Sequence, residues 1–102
     1  MASRLELHEE LCIVLGSRNV YFSPPESLKL NYPCIVYRLS DVDTRNANNQ
    51  TYKRIRRYEL TVIDRDPDST IFESVLDHFE MCSFDRNFKS DNLDHNTLNL
   101  YY

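Results

Sequence analysis

A chain of 102 residues, 41% hydrophobic and 12% aromatic, suffices for one packed core and is too short for two, so a single domain spanning residues 1–102 is expected. Twelve Lys and Arg against sixteen Asp and Glu give a formal charge of −4, which argues against a general nucleic-acid binder, because such proteins build affinity by neutralising phosphates. A single glycine excludes a Gly-rich phosphate loop, a dinucleotide fingerprint and a nucleophile elbow.

Three cysteines, Cys12, Cys34 and Cys82, cannot all pair within one chain, and none stands in a C-x-x-C spacing. Reduced, buried thiols are expected. The longest apolar run, Leu11 to Leu15, is far short of a bilayer span, and the acidic, amphipathic N-terminus lacks the pattern of a signal peptide. Synthesis and folding in a cytoplasm, with no membrane partner, are expected.

In chain order, Ser3 and Glu6 form a candidate capping box for a helix over 4–15, with Leu5, His8, Leu11, Cys12 and Leu15 at helical spacing and Gly16 as a left-handed cap. Val20-Tyr21-Phe22 reads as a short strand ending at Pro24-Pro25, since neither proline can donate to a ladder. A loop runs to Pro33. The stretch Cys34 to Leu39 is apolar at both parities, as suits a mid-sheet strand.

Residues 43–50, DTRNANNQ, carry an Asn-rich loop signature, and TYKRIRRYELTVID, residues 51–64, returns as another strand to make a long hairpin. Tyr58, Leu60 and Val62 share one face, Glu59 and Thr61 the other, and Arg54 and Arg56 extend the first parity upstream. Such a strand would run roughly 45 Å at about 3.3 Å per residue, well beyond the usual length of about five or six residues. Its basic half is expected to project past the sheet as an arm.

Asp64 to Asp68 breaks the strand, and Thr70 with Glu73 offers a second capping box for a helix carrying Ile71, Phe72, Val75, Leu76 and Phe79, ending near Glu80. Residues 82–88 alternate, a polar turn follows, and 98–102 alternate again as a closing hairpin. The order α-β-β-β-α-β-β, with two amphipathic helices and a sheet of about five strands, antiparallel or mixed, predicts an α+β sandwich with both helices on one face and a long projecting β-hairpin.

The residues that could carry chemistry read more simply as structure. Asp64, Asp66 and Asp68 alternate like the opening of a calcium loop, but no glycine holds the sixth position and Val75 stands at the twelfth. His8, His78 and His95 have no close metal-ligand spacing; His8 is expected to be partly buried and hydrogen-bonded, the other two at the surface. Asp91 to His95 reads as a solvated acidic turn. Ser23, Ser40, Ser69 and Ser83 have no neighbouring base in sequence. The expectation is no enzyme activity, no metal and no cofactor.

What remains is the basic stretch Lys53, Arg54, Arg56 and Arg57 in an acidic chain. Tyrosine is abundant and favours protein interfaces, and Tyr52 falls where no core would receive it. Cations on an exposed strand also discourage premature edge pairing.

Taken together, the capped helix, "NVYFSPPESLKLNYPCIVY", the hairpin "YRLSDVDTRNANNQTYKRIRRYELTVIDRDPDS" and the closing "CSFDRNFKSDNLDHNTLNLYY" resemble the tail terminator, or tail completion, proteins of long-tailed bacteriophages. The resemblance covers nearly the whole chain and is strongest in "YPCIVYRLS", "YELTVIDRDPDS" and "TLNLYY", which are features of fold and sequence style and not a catalytic motif. It implies a small α+β virion protein that forms a ring, a hexamer in that family, at the head-proximal end of the tail tube. Such a ring ends tube polymerisation and offers the surface for head–tail joining. The implied partners are other copies of itself, the tail-tube protein and a head-completion or connector protein; the implied location is the virion neck, after assembly in the host cytoplasm.

On that resemblance Tyr52, Lys53, Arg54, Arg56 and Arg57 are expected to form an inter-subunit or tube-contacting arm, since a ring subunit needs two different surfaces that bind each other. A less favoured role is lining the channel, with passive contact to DNA. The alternative from another class is a small nucleic-acid-binding α+β domain using the basic strand 52–58, against which stand the overall acidity and the lack of an aromatic recognition signature.

Overall fold

The computed structural model describes residues 4–47 and 50–102, side chains from 43 to 54 excepted. Ser3 and its half of the first capping box lie outside the described residues. Among those described, the order is α1 (Arg4–Leu15), β1 (Val20–Phe22), β2 (Cys34–Ala47), β3 (Gln50–Asp64), α2 (Ile71–His78), β4 (Cys82–Ser90) and β5 (Leu93–Tyr101). The strands form one mixed sheet in the order β1-β2-β3-β5-β4, with β1 parallel to β2 and every other pair antiparallel. This is the expected α+β architecture, with β2 and β3 mid-sheet.

The core lies between the helices and one sheet face. Ile35, Tyr37, Tyr58, Leu60, Val62, Leu98 and Leu100 are contributed by the strands, and Leu7, Leu11, Cys12, Val75 and Phe79 by α1, α2 and its end. Alternation in β3 holds as read, because every second side chain of a strand meets the same layer. The face of α1 holds for His8, Leu11, Cys12 and Leu15 but not for Leu5, and it gains Leu7. Leu5 is exposed, whereas Leu7 and Leu11 are buried and Val14 and Leu15 pack against the core. Seven of the twelve α1 residues are apolar, so their periodicity fits more than one face, and Leu7 with Leu11, four apart, make the stripe that meets the sheet.

The second capping box is not formed. Thr70 precedes α2 without a side-chain cap, and Glu73 and Ser74 instead donate their backbone N–H groups to the Thr70 carbonyl. The helix ends at His78, two residues earlier than expected, and Phe79 turns into extended backbone.

The Asn-rich stretch taken for a loop is mostly ladder. β2 continues to Ala47 and β3 begins at Gln50, with a register shift at Ser40 and another between Arg45 and Asn46. Asn is disfavoured in strands by weak propensity alone, which a continuing two-stranded ladder overrides. The turn of the closing hairpin is also shorter than expected, and β5 begins earlier. Only Asp91 and Asn92 turn, both at positive φ (53° and 62°), the backbone that a two-residue hairpin turn of the primed type requires. Leu93, Asp94 and His95 therefore belong to β5 and not to a loop.

β4 is an edge strand with a bulge at Asp85. One extra residue reverses the side-chain parity, so Phe84 meets Phe72 of α2 at 5.5 Å while Phe88 lies on the other sheet face, stacked on His95 at 4.8 Å. The buried Thr97 hydroxyl secures the bulge by donating to the Arg86 carbonyl at 3.1 Å. Asn96, buried on the core face, accepts from Asn87 Nδ2 at 2.8 Å and donates to Asp94. No buried side-chain polar atom among the described residues is left without a partner.

All three thiols are free. Burial, with the Asp64 carboxylate as a lesser cause, pushes Cys34 up to about 11, and burial alone pushes Cys82 to about 11. Since the thiolate is the reactive form, fully buried Cys34 is expected to react with an aromatic disulfide reagent only as fast as the fold opens. Rapid stoichiometric labelling of Cys34 under native conditions, read by peptide mass, would contradict this packing.

Candidate functional site

The arm begins where β3 loses its second neighbour. From Arg57 to Ile63, β3 is paired on both sides, by β2 and by β5; from Gln50 to Arg56 its only strand partner among the described residues is β2. The last bond from the body is Tyr102 N–H to the Arg56 carbonyl at 3.0 Å. β2 likewise has β1 beside it only at Ile35 to Tyr37. The hairpin beyond Val42 and Arg56 thus shows unpaired backbone along both edges, and the molecule measures 51 × 27 × 23 Å.

The predicted site residues are distributed along this arm. Arg56 and Arg57 stand at its base on opposite faces of β3, because successive side chains alternate. Arg57 Nε donates to Ser40 Oγ at 3.1 Å, across the first register shift. Arg56 faces the helix side, directly across from Val42, which is 43% exposed. Tyr52, Lys53 and Arg54 fall within β3, and their side chains lie outside the described residues.

The chain's charge is divided between the arm and the body. Residues 41–57 hold five cations (Arg45, Lys53, Arg54, Arg56, Arg57) and two carboxylates (Asp41, Asp43), a net of +3; the other residues hold seven cations and fourteen carboxylates, a net of −7. The acidity is concentrated in the helical layer, where Glu6, Glu9, Glu10, Glu73 and Asp77 stand against Arg4. That the chain outside the basic stretch is strongly acidic, and could attract the basic stretch of another copy, is legible in the sequence; that these carboxylates share one layer is not, because they are dispersed along two separate segments that the fold brings side by side.

Two polar clusters tie the helices to the sheet. In the first, Arg4 donates to the Tyr37 hydroxyl at 3.1 Å, and that hydroxyl lies 2.8 Å from His8 Nδ1. Burial, then the positive charges of Arg4 and Arg18, hold the His8 pKa below its usual value, which favours the neutral ring; with Arg4 donating to the hydroxyl oxygen, the Tyr37 O–H is free to donate to His8 Nδ1. His8 is thus partly buried and hydrogen-bonded, as expected. In the second, the Tyr102 hydroxyl donates to Glu10, whose other oxygen lies 3.3 Å from His78 Nε2. Burial, then the bond to Glu10 and the negative charges of Glu10 and Glu6, push Tyr102 up to about 12. His95 is half-buried and not at the open surface as expected; its Nδ1 lies 3.0 Å from the Leu93 carbonyl.

In the first cluster the His8 ring is held by a buried tyrosine that bridges helix and sheet. Among the described residues no three His, Cys, Asp or Glu side chains converge to hold a metal ion, and no helix is long and apolar enough to cross a membrane. On the sheet face away from the helices, Leu28, Leu30, Val36, Ile63, Phe88 and His95 help line an open cleft of about 370 Å³. Its lining is mostly apolar.

Fold and site together define an α+β domain with an acidic body and a basic, edge-exposed hairpin. No protein-family model matches the chain, and no curated protein matches it in sequence.

Proposed function

We propose that this chain is a structural protein of a long-tailed bacteriophage, a tail terminator that forms a ring, hexameric as in the family it resembles, at the head-proximal end of the tail tube. There it ends tube polymerisation and presents the surface to which the head joins, using its own copies, the tail-tube protein and a head-completion or connector protein as partners. The observation that carries this reading is the arm of net +3, whose described backbone pairs with no strand outside the hairpin beyond its base, attached to a body of net −7. A subunit with two unlike, complementary surfaces makes head-to-tail contacts, and those form a ring where the rotation from copy to copy closes. No step of this role asks for a cofactor.

The reading is tested by adding the purified protein to growing tubes of the tail-tube protein of the same phage. Electron microscopy should show rings on one end of each tube and a shorter length distribution, and light scattering should show the chain leaving the monomer pool. Tubes of unchanged length with bare ends would overturn it.

A further inference from the structure

The two most exposed large apolar side chains among the described residues, Ile13 at 73% and Leu5 at 66%, lie on the same helix. Eight residues apart, with exposed Glu9, ion-paired to Arg18 at 2.9 Å, midway between them, they form one stripe along the outer side of α1, away from the sheet. Beside it, α2 turns Glu73 and Asp77 to solvent, since both lie opposite its buried residue Val75. Neither carboxylate has an ion-pair partner among the described residues. Singly exposed leucines are ordinary, but two such residues in a carboxylate-flanked stripe make a surface of defined chemistry.

The base of the arm offers the matching chemistry on its helix-side face. Exposed Val42 and half-buried Arg56 stand opposite each other there, and in sequence Arg54 follows two positions further along β3. Apolar can meet apolar while cations meet carboxylates. The arm cannot serve its own helical layer in this way, because β3 is held in line with the sheet by its pairing to β2 and β5.

We infer that the outer face of the helical layer, Leu5, Glu9 and Ile13 of α1 with Glu73 and Asp77 of α2, is the docking surface for the basic hairpin arm of a second copy of this chain. The inference rests on the reading above only in taking the chain to assemble with itself. The contact is heterologous: each copy gives an arm and receives one, so copies add in a single direction. Complementary charge also sets register and speeds encounter, which makes the contact sensitive to salt.

The experiment is a charge exchange read by sedimentation velocity. Wild-type chain at low ionic strength should show a concentration-dependent rise in mass, weakened about tenfold or more when salt is raised from roughly 0.05 to 0.5 M. One variant carries Glu73→Lys and Asp77→Lys, the other Arg54→Glu and Arg56→Glu. Each alone should associate on the order of 100-fold more weakly, because like charges then face each other. Mixed in equal amounts, they should assemble again, each arm finding an opposite charge on the other variant. Thermal melts verify folding, and Glu73→Gln with Asp77→Asn is the milder substitute should the lysine pair not fold. A wild-type chain that stays monomeric at low salt, variants that assemble like wild type, or a mixture that stays dissociated would each overturn the inference. Tube capping is a separate readout: assembly through these surfaces without capping removes the tail-terminator role and keeps the interface, and capping by variants that assemble unchanged does the reverse.

Discussion

Leu60→Ala should lower the free energy of unfolding by about 3–5 kcal/mol, at the upper end of the range for buried leucines. Leu60 is 0% exposed, lies in the central strand, and is flanked in register by Tyr37 on β2 and Leu98 on β5, themselves buried. Strands on both sides and helices above leave little freedom for the surroundings to collapse into the space of the lost side chain. A domain of this size has about 5–15 kcal/mol to lose, so the variant should unfold at much lower denaturant with an unchanged slope. Leu39→Ala, at a neighbouring β2 position that is 43% exposed, is the control and should cost less than about 1 kcal/mol. Equal losses at the two sites would mean that the core is not centred where the buried side chains place it.

Tyr37→Phe should cost about 1–3 kcal/mol although the ring is kept, because removing one hydroxyl deprives both Arg4 and His8 of their partner. The pH response separates the bond from the burial. His8 titrates below its usual value in the folded chain, so the unfolded chain binds more protons as the pH falls toward and below about 6.5. Its contribution to stability is therefore full above that pH and is lost as the pH falls through the folded value. Burial is the leading cause of the shift, so Tyr37→Phe should retain most of this acid sensitivity while His8→Gln flattens it. Denaturant midpoints at pH 7.5 and 5.5 for the three chains would decide, and a His8→Gln chain as acid-sensitive as wild type would move the effect elsewhere.

Sequence carried the strands where side-chain parity was unambiguous. Tyr58, Leu60 and Val62 alternate with Glu59 and Thr61, and their burial follows that alternation. It failed where local chemistry and tertiary pairing disagree. Leu93 to Thr97 reads as polar turn, yet Asn96 and Thr97 are buried because Asn87 and the Arg86 carbonyl satisfy them. Phe88 changed faces because a bulge at Asp85 leaves no mark in an alternating pattern. The cations of the arm were legible as composition. The acidic helical face was not, since it exists only once α1 and α2 lie side by side.

The continuity of β3 bears on how the molecule carries mechanical load. One unbroken strand runs from the centre of the sheet, between β2 and β5, into the arm. Ladder hydrogen bonds lie perpendicular to the strands, so tension applied along the arm strains many of them at once, in shear. A sideways force instead peels the distal pairs one after another, beginning where each strand has a single neighbour. Axial tension on an engaged arm would reach the most deeply packed strand of the domain directly, with no flexible joint between the point of attachment and the core.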